Sequence, residues 1–126
     1  MEEIKVSILP KTWIFDLDGT IVIHNGYKQF GKDVFLLGAK EFLRKIPEED
    51  MIIFLTSRKK EYQEITERFL KEQGIRWNTI IYEAPYGERI LVNDKKPSGL
   101  PTAIAVNTVR DVWIETEKQF VEDESL

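Results

Sequence analysis

The sequence contains no cysteine and only one histidine, His24, among its 126 residues. The absence of cysteine excludes disulfides, thiolate metal sites and thiol nucleophiles. A single histidine excludes a multi-histidine metal centre, and we interpret His24 as a loop residue beside Asn25 and Gly26.

Positive charge is also scarce, since 18 Lys and Arg stand against 22 Asp and Glu, for a net charge of -4. Such a chain has no overall field that attracts nucleic acid or anionic lipid, which weighs against both partners. Long apolar runs are lacking as well. The first ten residues carry Glu2, Glu3 and Lys5 and resemble neither a signal peptide nor a membrane anchor. We therefore expect a cytoplasmic protein.

The apolar residues that are present suffice for one domain, over residues 1–126, with a core at about 11–107 and an acidic segment at 115–126. We expect the acidic segment to be a short helix or a frayed tail. Strands are predicted at Thr12–Leu17, Met51–Thr56, Thr79–Tyr82, Arg89–Asn93 and Thr102–Asn107, and helices at Ala39–Ile46 and Lys59–Gln73. Strands that alternate with helices predict an α/β fold with a parallel sheet, whose ligands bind beyond the carboxyl ends of the strands.

Three polar clusters fall at those strand ends. They are Asp16-Leu17-Asp18-Gly19-Thr20, Thr56-Ser57-Arg58 and Asn93-Asp94-Lys95-Lys96. Taken singly, they are an Asx turn, a helix cap at Ser57 and a solvated charged loop. Together they predict one site, in which carboxylates suit Mg²⁺, an Asp can attack phosphorus, and a hydroxyl with the first amides of a helix can meet a phosphate.

The chain resembles a haloacid dehalogenase superfamily phosphatase from about Lys11 to Asn107, most specifically in Asp16-Leu17-Asp18-Gly19-Thr20. The resemblance implies a three-layer α/β/α Rossmann-like core with a mostly parallel five-stranded sheet. It implies that Asp16 is the nucleophile and a Mg²⁺ ligand, and that Asp18 is the general acid and base, with its carbonyl also on the metal. Thr56 corresponds to the residue that binds the transferring phosphoryl group, and Asp94 to the acid that completes the Mg²⁺ site.

One family feature is missing. Relatives carry a phosphate-binding lysine upstream of the last acid, whereas Gly74 to Asp94 contains no lysine and only two arginines, Arg76 and Arg89. The candidates for its replacement are Lys95 and Lys96, with Arg58 behind them. Each of the three can equally be a solvated loop charge.

No cap domain fits between the motifs, so the resemblance implies an open site. A large substrate or a neighbouring subunit of a homo-oligomer would then cover it. We expect a Mg²⁺-dependent phosphomonoester hydrolase that forms an aspartyl-phosphate on a sugar phosphate or related metabolite, of the kind found in surface-polysaccharide pathways. The alternatives are a phosphatase of a protein or nucleic-acid end with an exposed phosphate, and an inactive phosphate-binding module.

Overall fold

The computed structural model describes all residues from Met1 to Leu126, and its central feature is a parallel sheet. Its strands are β2 (Thr12–Phe15), β3 (Met51–Leu55) and β4 (Thr79–Ile81), in the order β2-β3-β4. Phe15 lies opposite Phe54, and Leu55 lies opposite Ile81. The carboxyl ends of the three strands therefore meet at one edge, as the sequence predicts.

The middle strand, β3, carries the centre of the core. Ile52 and Phe54 are fully buried, and they belong to a cluster with Leu17, Leu43 and Leu70. At the opposite end of the sheet, the Asn78 side chain accepts the Ile52 N–H at 2.7 Å. This bond satisfies a buried backbone donor, which is costly to leave unpaired.

Three helices follow β2 and β3. They are α1 (Gly26–Gln29), α2 (Ala39–Lys45) and α3 (Gln63–Glu72), the last preceded by a 3₁₀ turn at Lys60–Tyr62. Two of them contribute to the core with β3, α2 through Leu43 and α3 through Leu70. Helix α2 ends before Pro47, and Gly74, with φ 71°, turns the chain after α3. The predictions of helices in these two regions are confirmed, because apolar spacing and stop signals are local features of the sequence.

A second sheet joins the two ends of the described chain. β1 (Glu2–Val6) pairs in parallel with β5 (Lys118–Glu122), which follows a 3₁₀ turn at Ile114–Thr116. The prediction of a helix or frayed tail at 115–126 is therefore wrong for the residues of β5. The physical reason is long-range pairing: the backbone of β5 bonds to β1, and Phe120 packs against the ring of Trp13 in β2 at 5.1 Å.

The α/β class with parallel strands is confirmed, but a single five-stranded sheet is not. The predicted strands at 89–93 and 102–107 are absent, and residues 83–113, here called the connecting segment, contain neither helix nor strand. Apolar side chains in this segment stay exposed, such as Ile90 at 85% and Val92 at 88%. A strand requires a partner for its backbone groups, and these residues have none. None of the helices has the length and apolar character that crossing a bilayer requires.

Candidate functional site

The acidic turn after β2 lies at the sheet edge where the strands end. Asp16 follows β2 directly, and the buried Leu17 carbonyl accepts the N–H groups of Thr20, Ile21 and Val22. Gly19 has φ 83°, and a Cβ at this position would lie 3.0 Å from the Arg110 side chain. The turn therefore needs glycine both for its backbone angle and for its close packing.

Asp16 is held by two side chains, one from each side. Its Oδ2 accepts a hydrogen bond from the Thr20 hydroxyl at 3.0 Å. Its Oδ1 accepts one from Arg89 Nη1, also at 3.0 Å. The carboxylate nevertheless keeps 34% of its side-chain surface exposed. Asp16 is thus oriented by two hydrogen bonds and still accessible to solvent.

Arg89 joins the ends of β2 and β3 through its side chain. Besides the bond to Asp16, its Nη2 donates to the Ser57 hydroxyl at 3.3 Å. Its own exposure equals that of Asp16. Arg89 was not among the sequence-predicted site residues, although it is one of only two cations between Gly74 and Asp94. That scarcity was the signal that could have identified it.

Arg58 occupies a buried network behind this surface. It is 3% exposed, and its guanidinium forms paired bonds with Asp18 at 3.0 Å, paired bonds with Asp33 at 2.7 and 3.0 Å, and a bond to Thr66 at 2.9 Å. The Tyr27 ring covers its face at 4.0 Å. These bonds use every N–H of the guanidinium, so Arg58 is not free to bind a phosphate, contrary to the sequence prediction.

The electrostatics of this network are governed by burial and by its two carboxylates. Burial opposes the charge of the Arg58 guanidinium, but the hydrogen bonds that it donates to Asp33 and Asp18 outweigh burial and raise the pKa of Arg58 above its usual value. Burial, with the nearby Asp18 charge second, raises the pKa of Tyr27 to about 12. Asp33 and Tyr27 were not predicted from the sequence, since nothing local marks two residues of the segment 21–37, here called the flap, as partners of an arginine in another loop.

Asp18 faces this network. Both of its oxygens accept from Arg58, and Oδ1 also accepts the Asn25 backbone N–H at 3.3 Å. Its side chain is 15% exposed, less than half the exposure of Asp16. The two acids of the motif therefore have different environments, one facing the surface and one bound to a buried cation.

Thr56 and Ser57 also differ from the sequence prediction. Thr56 is fully buried, and its hydroxyl accepts the Arg58 backbone N–H at 3.0 Å, so its side chain does not face solvent. Ser57 does not cap a helix, because the 3₁₀ turn begins at Lys60. The Ser57 hydroxyl instead contacts Arg89, and the predicted phosphate site on helix amides at this position is not formed.

Asp94, Lys95 and Lys96 are exposed in the connecting segment. The Asp94 carbonyl accepts from the Thr102 hydroxyl, and the Lys96 carbonyl accepts the Gly99 N–H at 2.7 Å. No hydrogen bond or ion pair joins their side chains to Asp16 or Asp18. The structure thus does not bring these three predicted residues to the acidic turn.

The predicted Mg²⁺ ligands are not gathered in this arrangement. No group of three or more His, Cys, Asp or Glu side chains lies close enough to hold a metal ion. Both carboxylate oxygens of Asp16 and of Asp18 accept hydrogen bonds from the chain itself. Asp16, Asp18 and Asp94 therefore remain predicted metal ligands that the structure does not assemble.

His24 lies beside the acidic turn. Its backbone N–H donates to Asp111 at 2.8 Å, while its Nδ1 is buried without a hydrogen-bond partner. A Cβ on Gly19 would come within 3.7 Å of this nitrogen. The histidine therefore packs against the turn itself, within the flap where the sequence places it.

A scan against protein-family models finds no match, and a search of curated proteins finds none either. Two solved structures are similar. One, the structure of the Pnkp1/Rnl/Hen1 RNA repair complex, has a chain that is 28% identical, with a TM-score of 0.50 over 68% of this chain and 29% of that one. The other, of the Pnkp1/Rnl/Hen1 complex, gives 28% identity and a TM-score of 0.49 over 68% and 32%. This chain therefore spans about a third of the length of the chains it matches.

Proposed function

We propose that the chain is a phosphomonoester hydrolase in which Asp16 is the nucleophile. The observation that carries the proposal is the half-exposed Asp16 carboxylate at the end of β2, with the Ser57 hydroxyl and the Arg89 guanidinium beside it. A carboxylate can attack phosphorus, and neighbouring N–H and O–H donors can stabilise the charge on the transferring oxygens.

The reaction has two displacement steps. An Asp16 oxygen forms a bond to phosphorus while the ester P–O bond breaks, and Asp18 gives a proton to the departing oxygen. Water then attacks the phosphorus of the aspartyl-phosphate, passes its proton to Asp18, and releases phosphate with Asp16 restored. Because both oxygens of Asp18 accept hydrogen bonds from Arg58, one of those bonds must open and that oxygen must carry a proton before it can protonate the departing oxygen; the proton that Asp18 takes from water restores this form.

The proposal includes the finer features that the resemblance implies. These are a layered α/β/α core around the parallel sheet and a requirement for Mg²⁺. The parallel order β2-β3-β4 and the acidic turn after β2 support this assignment. Both displacement steps use side chains of the chain alone, since the predicted Mg²⁺ ligands are not gathered at one place.

The first substrate class is a sugar phosphate or related phosphorylated metabolite. The net charge of -4 supports a small substrate, because a polynucleotide is bound mainly through an excess of positive charge. A small phosphate ester needs only the local donors beside Asp16.

A second candidate is a phosphatase of a phosphorylated RNA end. It is favoured by the 28% identity with a chain from an RNA repair complex. Both candidates share the Asp16 chemistry, and they differ only in what surrounds the phosphate. A panel of substrates therefore separates them.

The experiment measures phosphate release from sugar phosphates, nucleotides, phosphopeptides and 5′- and 3′-phosphorylated RNA, with Mg²⁺ and with a chelator. Asp16→Asn should lower turnover by about 10³-fold or more, since it removes the nucleophile. Asp123→Asn, which removes a similar carboxylate from the distant turn after β5, is the matched control and should retain activity. Circular dichroism confirms that both variants fold.

Each outcome is informative. Preference for RNA ends over every sugar phosphate would select the second candidate. An Asp16→Asn variant with undiminished turnover would exclude the proposed mechanism. Turnover that the chelator leaves unchanged would remove the magnesium requirement but not the nucleophile. A wild-type protein that binds phosphate but hydrolyses nothing would be a binding module.

A further inference from the structure

The flap carries an exposed aromatic ring that the proposed mechanism does not use. Phe30 follows α1, its N–H donates to the Gly26 carbonyl at 2.8 Å, and its side chain is 62% exposed. A Cβ on Gly26 would lie 3.8 Å from the ring and 3.5 Å from the Lys32 carbonyl, so Phe30 and Lys32 adjoin the same position. The backbone at Phe30 is therefore fixed, while most of the ring is in contact with solvent.

Two lysines flank this ring in the sequence. Lys28 and Lys32 stand two positions before and after Phe30, and both are exposed. The Lys28 ammonium lies 5.7 Å from the centre of the Tyr27 ring and 5.8 Å from that of Tyr62. The lysines that form ion pairs in this chain are Lys11 and Lys118, so the charges of Lys28 and Lys32 are not neutralised.

The flap is locally positive although the chain as a whole is negative. Besides the two lysines, its one other charged residue is Asp33, which is buried and bound to Arg58. Two unpaired positive charges therefore face solvent on a chain whose net charge is -4. Distant acids do not cancel them, because exposed charges more than about 8 Å apart are largely screened at physiological ionic strength.

The flap also borders the candidate site. The Val22 carbonyl accepts the Gly19 N–H at 2.7 Å, and the Asn25 N–H donates to Asp18 at 3.3 Å. A substrate whose phosphate lies at Asp16 extends beyond the acidic turn, and the flap is one of the surfaces beside it. An aromatic ring between two free lysines matches a ligand that combines flat bases with repeated negative charges.

We infer that the flap binds a single-stranded nucleic acid whose phosphorylated end enters the site. One base stacks on Phe30, and Lys28 and Lys32 contact backbone phosphates. This inference rests on the proposed function, since it names what surrounds the phosphate at Asp16. Stacking and phosphate contacts are both tolerant of sequence. A sugar ring or an apolar peptide could cover Phe30, but neither supplies anions for the two lysines.

The experiment measures the Kd of a labelled single-stranded RNA without a terminal phosphate by fluorescence anisotropy, which does not depend on turnover. Phe30→Ala should raise this Kd by about 5- to 150-fold, the contribution of one stacked base. Phe30→Trp should retain the affinity, whereas Phe30→Leu, which is apolar without a π-face, should lose most of it. The KM for phosphorylated RNA should rise with the Kd.

Salt dependence tests the lysines. Lys28→Gln combined with Lys32→Gln should weaken binding and reduce the slope of log Kd against log salt concentration by about 1.4, since each phosphate contact on a single strand contributes about 0.7. Lys45→Gln combined with Lys71→Gln makes the same charge change at the ends of α2 and α3 and should leave the slope unchanged. Ile8→Ala, at an exposed apolar residue after β1, should leave the Kd unchanged.

The inference is overturned if the wild type does not bind the strand, if Phe30→Ala binds it as tightly as the wild type does, or if Phe30→Leu binds it as Phe30→Trp does. It is also overturned if Phe30→Ala raises the KM for a sugar phosphate as much as that for RNA. Failure of the proposed function looks different: the wild type binds the strand through Phe30 but releases no phosphate. Asp16-dependent hydrolysis without strand binding would instead remove the flap inference alone.

Discussion

Two regions of the molecule contribute to the acidic turn, and they are built differently. Residues 12–82, here called the ordered region because they hold the regular elements, contain the β2-β3-β4 sheet and its helices. Side chains in this region, such as Ile52 and Phe54, are fully buried. The connecting segment, residues 83–113, has no regular element and exposes Ile90 and Val92. The first region supplies Asp16 and Ser57, and the second supplies Arg89.

The two arginines near the acidic turn, Arg58 and Arg89, differ in the same way. Arg58 belongs to the ordered region and is enclosed by carboxylates and an aromatic ring. Arg89 belongs to the connecting segment and has a half-exposed ion pair with Asp16. Burial makes the first arginine a structural group, while exposure leaves the second able to exchange partners. The same type of side chain is thus fixed by buried partners in one region and accessible to solvent in the other.

The largest expected effect is on the ordered region. Arg58→Met should lower the free energy of unfolding by about 3 to 5 kcal/mol, because Asp18 and Asp33 lose their buried partner. Arg89→Gln, which breaks the half-exposed pair, should lower it by less than about 1 kcal/mol. Urea denaturation measures both values.

A double variant tests the cause. Adding Asp33→Asn to Arg58→Met removes a carboxylate that would otherwise remain buried and unpaired, so it should recover part of the lost stability. If Arg58→Met were as stable as Arg89→Gln, the contrast between the two regions would not hold.

The next largest expected effect is a loss of folding stability at alkaline pH. Burial raises the pKa of Tyr27 from 10.0 to about 12, so the folded state favours the neutral phenol. The stability that this provides is complete below about pH 10 and is lost as the pH rises toward about 12. Tyr27→Phe should therefore lose less stability over that range than the wild type.

Tyr86→Phe is the matched control in the connecting segment, where the ring is 89% exposed. Urea denaturation at several alkaline pH values should give parallel profiles for Tyr86→Phe and the wild type. Parallel profiles for Tyr27→Phe and the wild type would contradict the assignment to Tyr27.

The smallest effect is expected at the exposed apolar side chains. Val92→Ala should change the free energy of unfolding by less than about 0.5 kcal/mol, because the side chain is 88% exposed. Val22→Ala deletes the same methyl groups from a position that is 2% exposed, and it should cost about 1 to 3 kcal/mol. Equal losses would show that Val92 is covered in solution.

Sequence patterns predicted the ordered region well, because its signals are local. Apolar runs mark β2, β3 and β4, and Pro47 and Gly74 mark helix ends. The strands β1 and β5 were missed because their charged sequences form strands only by pairing with each other across the chain. Conversely, residues 89–93 and 102–107 have the composition of strands but no partner strand.

The same distinction applies to the candidate site. Asp16, Asp18 and Ser57 were predicted from motifs that directly follow strands. Two ion pairs, Arg58 with Asp33 and Arg89 with Asp16, join loops that are far apart in the sequence. The spacing of residues along the chain does not predict which of these loops come into contact. Asp94, Lys95 and Lys96 were predicted to join the site from a strand end that the structure does not form.

Pairing between β1 and β5 has a consequence for the connecting segment. Because β4 fixes its beginning and β5 returns the chain to β1, the segment is a closed loop rather than a free tail. Closing a loop restricts the volume that its residues can explore, and the cost grows only slowly with loop length. Arg89, which lies within this loop, is therefore confined to the neighbourhood of the acidic turn by the pairing of two strands that are distant in sequence.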